Sequence, residues 1–167
     1  MNFIKVTFGI FAVLAASRFI PHPPNFTSMI ALSFYVPLIF GRKYILSLLI
    51  CFLITDLFIG FHSTILFTWG SIAVIGLITK YFLNSQYHRY FGVLGSTMIF
   101  FILSNFGVWF IGYFHGINNL SLIETYVIAI PFYGNTLIST IIFSIVIEYL
   151  ISLKKIKLIL KKKYSFN

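Results

Sequence analysis

Basic residues follow a strict alternation along this chain, and the alternation constrains the fold more than any other feature. Eleven of the twelve Lys and Arg residues lie near the two termini or near every second connection between apolar segments, and Arg18 alone lies at one of the other connections. Short loops that carry Lys and Arg stay on the cytoplasmic side of a membrane. Only 9% of the residues are charged and 59% are hydrophobic, whereas a soluble domain carries about 25% charged residues. The sequence therefore predicts an integral membrane protein.

The apolar segments approach the length of a membrane-spanning helix, which needs about 20 residues and tolerates about 17 to 25. There are six of them, at residues 3–20, 27–40, 44–60, 64–81, 90–114 and 135–153. The basic residues predict that both termini are cytoplasmic, which agrees with an even number of spans. We expect an all-α integral membrane protein, a compact bundle of six transmembrane helices, multi-pass in a bacterial cytoplasmic (inner) membrane.

The two ends of the chain need separate interpretation. Residues 1–153 are expected to form the transmembrane domain, and residues 154–167 form a basic cytoplasmic tail with six lysines. We assign that tail to anionic lipid headgroups, which contribute about 1 kcal/mol per basic residue, rather than to nucleic acid. At the other end, Lys5 is followed by an apolar run and small residues, a pattern also compatible with a cleaved signal peptide. Cleavage would leave five spans.

The last span is preceded by a further apolar stretch at residues 122–133. The two together are too long for a single crossing, and Pro131 with Gly134 interrupts them. We therefore predict a short interfacial or half-inserted helix that carries Glu124, then a break, then the final span.

Polar residues are concentrated in the outer half of the predicted bundle. The inner half holds, apart from its loop bases, little more than His88 and Glu148. Polar side chains within a membrane are costly unless they face the bundle interior or a wet cavity, so they are candidates for a functional site. The first outer loop, residues 18–27, contains three prolines that stiffen it. The polar residues of the outer half are Arg18, His22, Asn25, Asp56, His62, Asn105, His115, Glu124 and Asn135.

Four motifs carry a resemblance to a known family. They are Arg-x-x-Pro-His-Pro-Pro-Asn-Phe-Thr at 18–27, Thr-Asp-x-x-x-Gly-x-His-Ser-Thr at 55–64, Asn-Phe-Gly-Val-Trp at 105–109 and Ile-Pro-Phe-x-x-Asn-Thr at 130–136. In these motifs the chain resembles an uncharacterised bacterial family of small six-span membrane proteins. That family is similar at fold level to the S (substrate-binding) components of energy-coupling-factor (ECF) transporters.

The likeness to S components implies a mechanism by analogy. Such proteins hold a vitamin or metal ion near the outer face, and a coupling protein with paired ATPases energises uptake. Alanines of their first helix contact the coupling protein, a role that the resemblance gives to Ala12 and Ala16. Metal-specific members carry an N-terminal Met-His motif, whereas this chain begins Met1-Asn2. A nickel or cobalt site of that type is therefore not expected, and neither is a cofactor.

The leading hypothesis is an outward-facing pocket that captures a small vitamin-like solute. Arg18 and Asp56 are expected to pair, because each otherwise stands nearly alone. The outer half is close to charge balance, so we expect a neutral or zwitterionic solute rather than a strongly anionic one. The predicted substrate-binding residues are Arg18, His22, Asn25, Asp56, His62, Asn105 and Asn135.

Two other functions remain open from the sequence. A structural membrane subunit of a larger complex, similar in size and span count to rod-shape morphogenesis proteins, would need no ligand. An intramembrane enzyme could use the histidines and acids of the outer half to bind a metal. We do not expect an enzyme, because the chain has no His-Glu-x-x-His or Gly-x-Ser-x-Gly motif. It also has no Walker A motif, so any ATP-driven step would belong to a partner.

Overall fold

A computed structural model describes residues 3–83, 85–116 and 119–153, and all the regular secondary structure in these ranges is helical. The predicted basic tail, 154–167, and the Met1-Asn2 start lie outside the described residues. The all-α prediction is confirmed for the described ranges. The six helices in them are α1 (Phe3–Phe19), α2 (Met29–Phe40), α3 (Tyr44–Ile59), α4 (Ile65–Ile78), α5 (Gln86–Phe114) and α6 (Leu122–Ser152), and a 3-10 turn at Thr79–Phe82 extends α4.

Three of the described helices are long and apolar enough to cross a membrane. In an apolar solvent each backbone N–H and C=O must be satisfied within the protein, which long uninterrupted helices achieve. Two shorter apolar helices, Met29–Phe40 and Tyr44–Ile59, accompany them. These features are consistent with a membrane protein. The three long segments are Ile65–Phe82, Gln86–Phe114 and Leu122–Ser152.

The predicted break before the last span is wrong, because α6 runs without interruption through Pro131. A proline in a helix removes one backbone hydrogen bond and crowds the carbonyl of the residue four positions earlier. Unwinding the helix at that point would leave several backbone groups unpaired among apolar side chains, which costs more. The helix begins at a capping box, in which the side chains of Ser121 and Glu124 each accept a hydrogen bond from the other residue's backbone N–H. Glu124 therefore belongs to the first turn of α6, and no separate half-inserted helix precedes it.

The second helix is the centre of the bundle and contacts every other described helix. All residues from Ile30 to Leu38 are buried. One of its sides packs with α1 and α3 around Leu14 and Leu48, and another packs with α4, α5 and α6 around Phe34. The other helices therefore enclose α2, and its N-terminal end borders a cavity.

Candidate functional site

The bundle contains a cavity of about 410 Å³ beside the N-terminal end of α2. Its walls come from the end of α1, the loops that follow α1 and α3, the first turn of α4, and the middle parts of α5 and α6. Five of the seven predicted binding residues line it, and the other two, Asp56 and Asn135, lie immediately behind its walls. The five lining residues are Arg18, His22, Asn25, His62 and Asn105.

The predicted pair of Arg18 and Asp56 is confirmed as an ion pair, with 2.6 Å between Nη2 and Oδ1. The same guanidinium donates through Nη1 to the Thr55 hydroxyl at 2.5 Å and lies over the Phe52 ring, 5.6 Å from its centroid. Among the described residues, the Arg18 guanidinium is the one formally charged group that lines the cavity. Three side chains of α3, Asp56, Thr55 and Phe52, hold it in place.

Asp56 itself is almost fully buried, with 1% of its surface exposed. Its second oxygen, Oδ2, accepts a hydrogen bond from the Trp69 indole N–H at 3.0 Å. A buried carboxylate is costly unless it is paired and hydrogen-bonded, and here both conditions are met. The carboxylate therefore neutralises Arg18 from behind, and the pair adds no net charge to the cavity.

The proline-rich loop after α1 forms one wall, and its shape depends on Asn25. This residue has φ of +63°, and it is the one non-glycine residue with positive φ in the described ranges. Asn adopts this left-handed conformation more readily than most residues. A tight turn closes the loop through a hydrogen bond from the Phe26 N–H to the Pro23 carbonyl at 3.0 Å.

Asn135 fixes that loop to α6 rather than lining the cavity. Its Nδ2 donates to the Pro24 carbonyl at 3.0 Å, so an amide on the sixth helix sets the position of the loop after α1. In the loop, His22 Nδ1 lies 2.7 Å from the Pro23 carbonyl. The stiffness expected from the prolines is thus reinforced by side-chain contacts.

The remaining predicted lining residues, His62 in the loop before α4 and Asn105 on α5, are held in place by their own neighbours. His62 makes a hydrogen bond of 3.1 Å between Nε2 and the Thr68 hydroxyl. Asn105 Nδ2 donates to the Phe101 carbonyl at 2.8 Å, and Ser104 donates to the Phe100 carbonyl at 2.7 Å. These hydrogen bonds fix the orientation of the side chains in the cavity wall, and such preorganisation lowers the entropy cost of binding at any site.

Aromatic rings form the side of the cavity provided by α5 and α6, and sequence reasoning missed them. The rings of Phe101 and Tyr133 have centroids 4.8 Å apart, and Phe100 and Phe132 lie beside them in the wall. With 21 Phe and 10 Tyr residues in the chain, nothing in the sequence separates these four from rings that face lipid.

Other predicted residues lie away from the cavity. His115 is exposed beyond the end of α5, and Glu124 is exposed at the start of α6. Ala12 and Ala16 are both exposed on α1, so they are not part of the packing between helices of this chain. In the described part of the chain, no three His, Cys, Asp or Glu residues come together as a metal site.

The fold and the cavity define a class, an all-helical protein suited to a membrane, with a cavity of polar and aromatic side chains at one end of its bundle. Residues 2–160 match the model of a family of unknown function, DUF6580, and the chain belongs to that family. Searches of curated proteins and of solved structures gave no match. The expected membership of an uncharacterised family is thereby confirmed. Nothing in these comparisons links it to S components, so that likeness stays a prediction.

Proposed function

We propose that this protein is a membrane-embedded substrate-binding subunit that takes up a small vitamin-like solute through the cavity. The observation that carries the proposal is the convergence of polar side chains from α1, α5 and two loops on one partly open cavity. Polar groups within a membrane bundle are costly, and their gathering around a cavity is typical of a solute site. Pockets for small molecules span about 300 to 1,000 Å³, a range that includes this one.

The proposal places the protein in a bacterial cytoplasmic membrane with six spans, both termini cytoplasmic and the cavity facing outward. The short α2 fits a six-span bundle because its residues from Ile30 to Leu38 are buried by other helices. A helix enclosed by protein does not have to match the lipid thickness by its own length. The outward direction follows from the basic residues, which lie mainly at the opposite ends of the helices.

The walls of the cavity suggest the chemistry of the solute. Arg18 is neutralised by Asp56, so a net charge on the solute would find no unpaired partner there. The rings of Phe101 and Tyr133, tilted by 52° to each other, offer aromatic faces on which another ring can stack. Asn25 and His62, which also line the cavity, supply groups for hydrogen bonds. We therefore favour a neutral or zwitterionic molecule with a planar ring and polar substituents.

Partner subunits form the second part of the proposal, and it depends on the resemblance to S components. A coupling protein with paired ATPases would then energise uptake, because the chain has no Walker A motif of its own. Ala12 and Ala16 are one helical turn apart and exposed on α1, which lets another helix approach closely. We propose them as partner contacts.

A thermal-shift screen of the purified protein against vitamins and related heterocycles tests the solute proposal. We expect at least one compound to raise the melting temperature of the wild type and to lose that effect in Asn105→Leu and His22→Ala. Asn119→Leu is the matched control, because Asn119 is exposed and does not line the cavity. If no compound stabilises the protein, the solute proposal fails and the structural-subunit hypothesis takes its place.

A further inference from the structure

The bundle holds a second buried polar cluster at the end opposite the cavity, and solute capture makes no use of it. Glu148 on α6 accepts two hydrogen bonds from Arg89 on α5, at 2.6 Å from Nε and 2.8 Å from Nη2. The Tyr35 hydroxyl on α2 donates to the same carboxylate at 2.9 Å. Glu148 is 4% exposed. The cluster therefore joins three helices through one acid that water barely reaches.

A stripe of hydroxyl groups on α6 connects this acid with the cavity. Thr136 lines the cavity wall, and Thr140 and Ser144 follow at intervals of four residues before Glu148. All four side chains are buried. Residues four apart on a helix are surface neighbours, with Cβ atoms about 5 to 6 Å apart. The stripe thus runs along about 18 Å of the helix.

Two of these hydroxyls are unusual because they make no hydrogen bond with the described residues. The Thr136 hydroxyl donates to the Phe132 carbonyl at 3.1 Å, as hydroxyls within helices commonly do. In contrast, Thr140 Oγ1 and Ser144 Oγ are buried and have no partner among the described residues. A buried polar group without a partner costs about 1 to 3 kcal/mol. Valine and alanine would avoid that cost, so the hydroxyls suit a path that water or a proton occupies.

We propose that the stripe is a proton path from the cavity to Glu148. Single water molecules bridge polar groups that are too far apart for direct hydrogen bonds, which fits the spacing of about 6 Å along the stripe. Buried acids in membrane proteins commonly mark proton relays. The inference rests on the proposed function, because the path begins at the proposed solute cavity.

The chemical step is a simple protonation. A hydronium ion in the path gives its proton to one carboxylate oxygen of Glu148, so the hydronium becomes water and Glu148 becomes a neutral acid. The proton then leaves Glu148 to water beside Arg89, whose side chain is 16% exposed. Between these two transfers the hydrogen bonds from Arg89 have no anionic acceptor, so the ion pair no longer contributes to holding α5 against α6 at this end. The titratable side chains around Glu148 in the described residues are Tyr35 on α2 and Arg89 and Tyr90 on α5. Neither tyrosine is charged while its hydroxyl is protonated, so neither replaces Glu148 as the counterion of Arg89.

The test is proton flux into liposomes that contain this protein alone, with a pH-sensitive dye inside and an acid step outside. We expect the wild type to acidify the interior faster than protein-free liposomes do. Thr140→Val combined with Ser144→Ala, and separately Glu148→Gln, should reduce the excess flux about tenfold or more. Ser139→Ala is the matched control, because Ser139 is buried on the same helix but already donates to the Thr136 carbonyl.

The outcomes separate this inference from the solute proposal. Wild-type flux equal to that of protein-free liposomes, or flux unchanged in the Thr140→Val/Ser144→Ala variant, would overturn the proton path. Removing two unpartnered hydroxyls should leave stability equal or higher, so lost flux in that variant is not a folding effect. A protein that binds a solute in the thermal-shift screen but conducts no protons keeps the proposed function and loses only this inference. The absence of ATPases from the liposomes excludes an ATP-driven step as the source of the flux.

Discussion

The guanidinium of Arg18, in the last turn of α1, reaches the carboxylate of Asp56, in the last turn of α3, with 2.6 Å between Nη2 and Oδ1. Arg18 lines the cavity, whereas Asp56 is buried behind it and bonded to Trp69. The pair therefore joins two helices and balances the charge of the cavity wall with an anion that is not a lining residue.

Replacing Asp56 with Asn should be costly, because it leaves the Arg18 guanidinium with no countercharge in a mostly buried site. Loss of one partner of a buried ion pair costs about 3 to 5 kcal/mol. We expect Asp56→Asn to lower the free energy of unfolding in mixed micelles by about 3 kcal/mol. The double variant Arg18→Gln/Asp56→Asn should regain part of that loss. With Arg18→Gln measured as the second single variant, a double-variant loss equal to the sum of the two single losses would show that the pair contributes no coupling.

Gly107 allows α4 and α5 to pack beside the cavity. A Cβ at this position would lie 2.6 Å from the Phe67 Cβ and still closer to its ring, so Gly107→Ala should cost about 1 to 3 kcal/mol of stability. Gly95 on the same helix has no atom near its added Cβ. Gly95→Ala should therefore raise stability by up to about 1 kcal/mol. The difference between the two melting temperatures is the measurement, and a destabilising Gly95→Ala of equal size would refute the packing argument.

The left-handed backbone at Asn25 predicts that two small substitutions differ in their effect on stability. Asn25→Ala places a residue with a Cβ and no compensating amide at φ of +63°, which costs about 1 kcal/mol or more. Asn25→Gly should stay within about 0.5 kcal/mol of the wild type, because glycine adopts this conformation freely. Unfolding of both variants, with Asn119→Ala as an exposed control, checks the prediction. Equal destabilisation by Ala and Gly would mean that the side chain, not the backbone, matters.

The orientation of the bundle in the membrane can be measured by labelling introduced cysteines after the chain's single native cysteine has been replaced. Cys51 is buried, and Cys51→Ser gives a background for new labels. Phe61→Cys, in the loop after α3, should react with an impermeant maleimide on intact cells. Gln86→Cys, at the start of α5, should react only after the membrane is opened. Both positions are exposed in the structure, so the reverse pattern would place the cavity on the cytoplasmic side.

Much of the helical pattern could be predicted from the sequence, because apolar segments and the basic residues between them report directly on a membrane environment. Five of the six predicted segments coincide with observed helices to within about a turn. The exception is α6, where Pro131 suggested a break. A proline marks helix ends reliably in water, but among apolar surroundings an unwound backbone has no water to bond with.

Only the polar residues of the candidate site, which are rare in the apolar segments, could be predicted from the sequence. Arg18 and Asp56 were found because charged residues are scarce outside the loops, and scarcity suggested that they pair. The roles of Trp69 and Tyr133 depend on which way each helix is rotated, which a sequence so rich in aromatics does not encode locally. The contact of Arg89 with Glu148 was missed for a related reason, because Arg89 was read as a loop residue although it lies within α5.

The most direct test of the central claim is equilibrium binding of a radiolabelled solute, taken from the thermal-shift screen, to the wild type and to Ser104→Phe. Ser104 lines the cavity, and a phenyl ring there would intrude into the space available to the solute. We expect about one solute per wild-type chain, as one cavity implies, and no saturable binding to Ser104→Phe when that variant is folded. Equal binding to both proteins would contradict the assignment of the solute to this cavity.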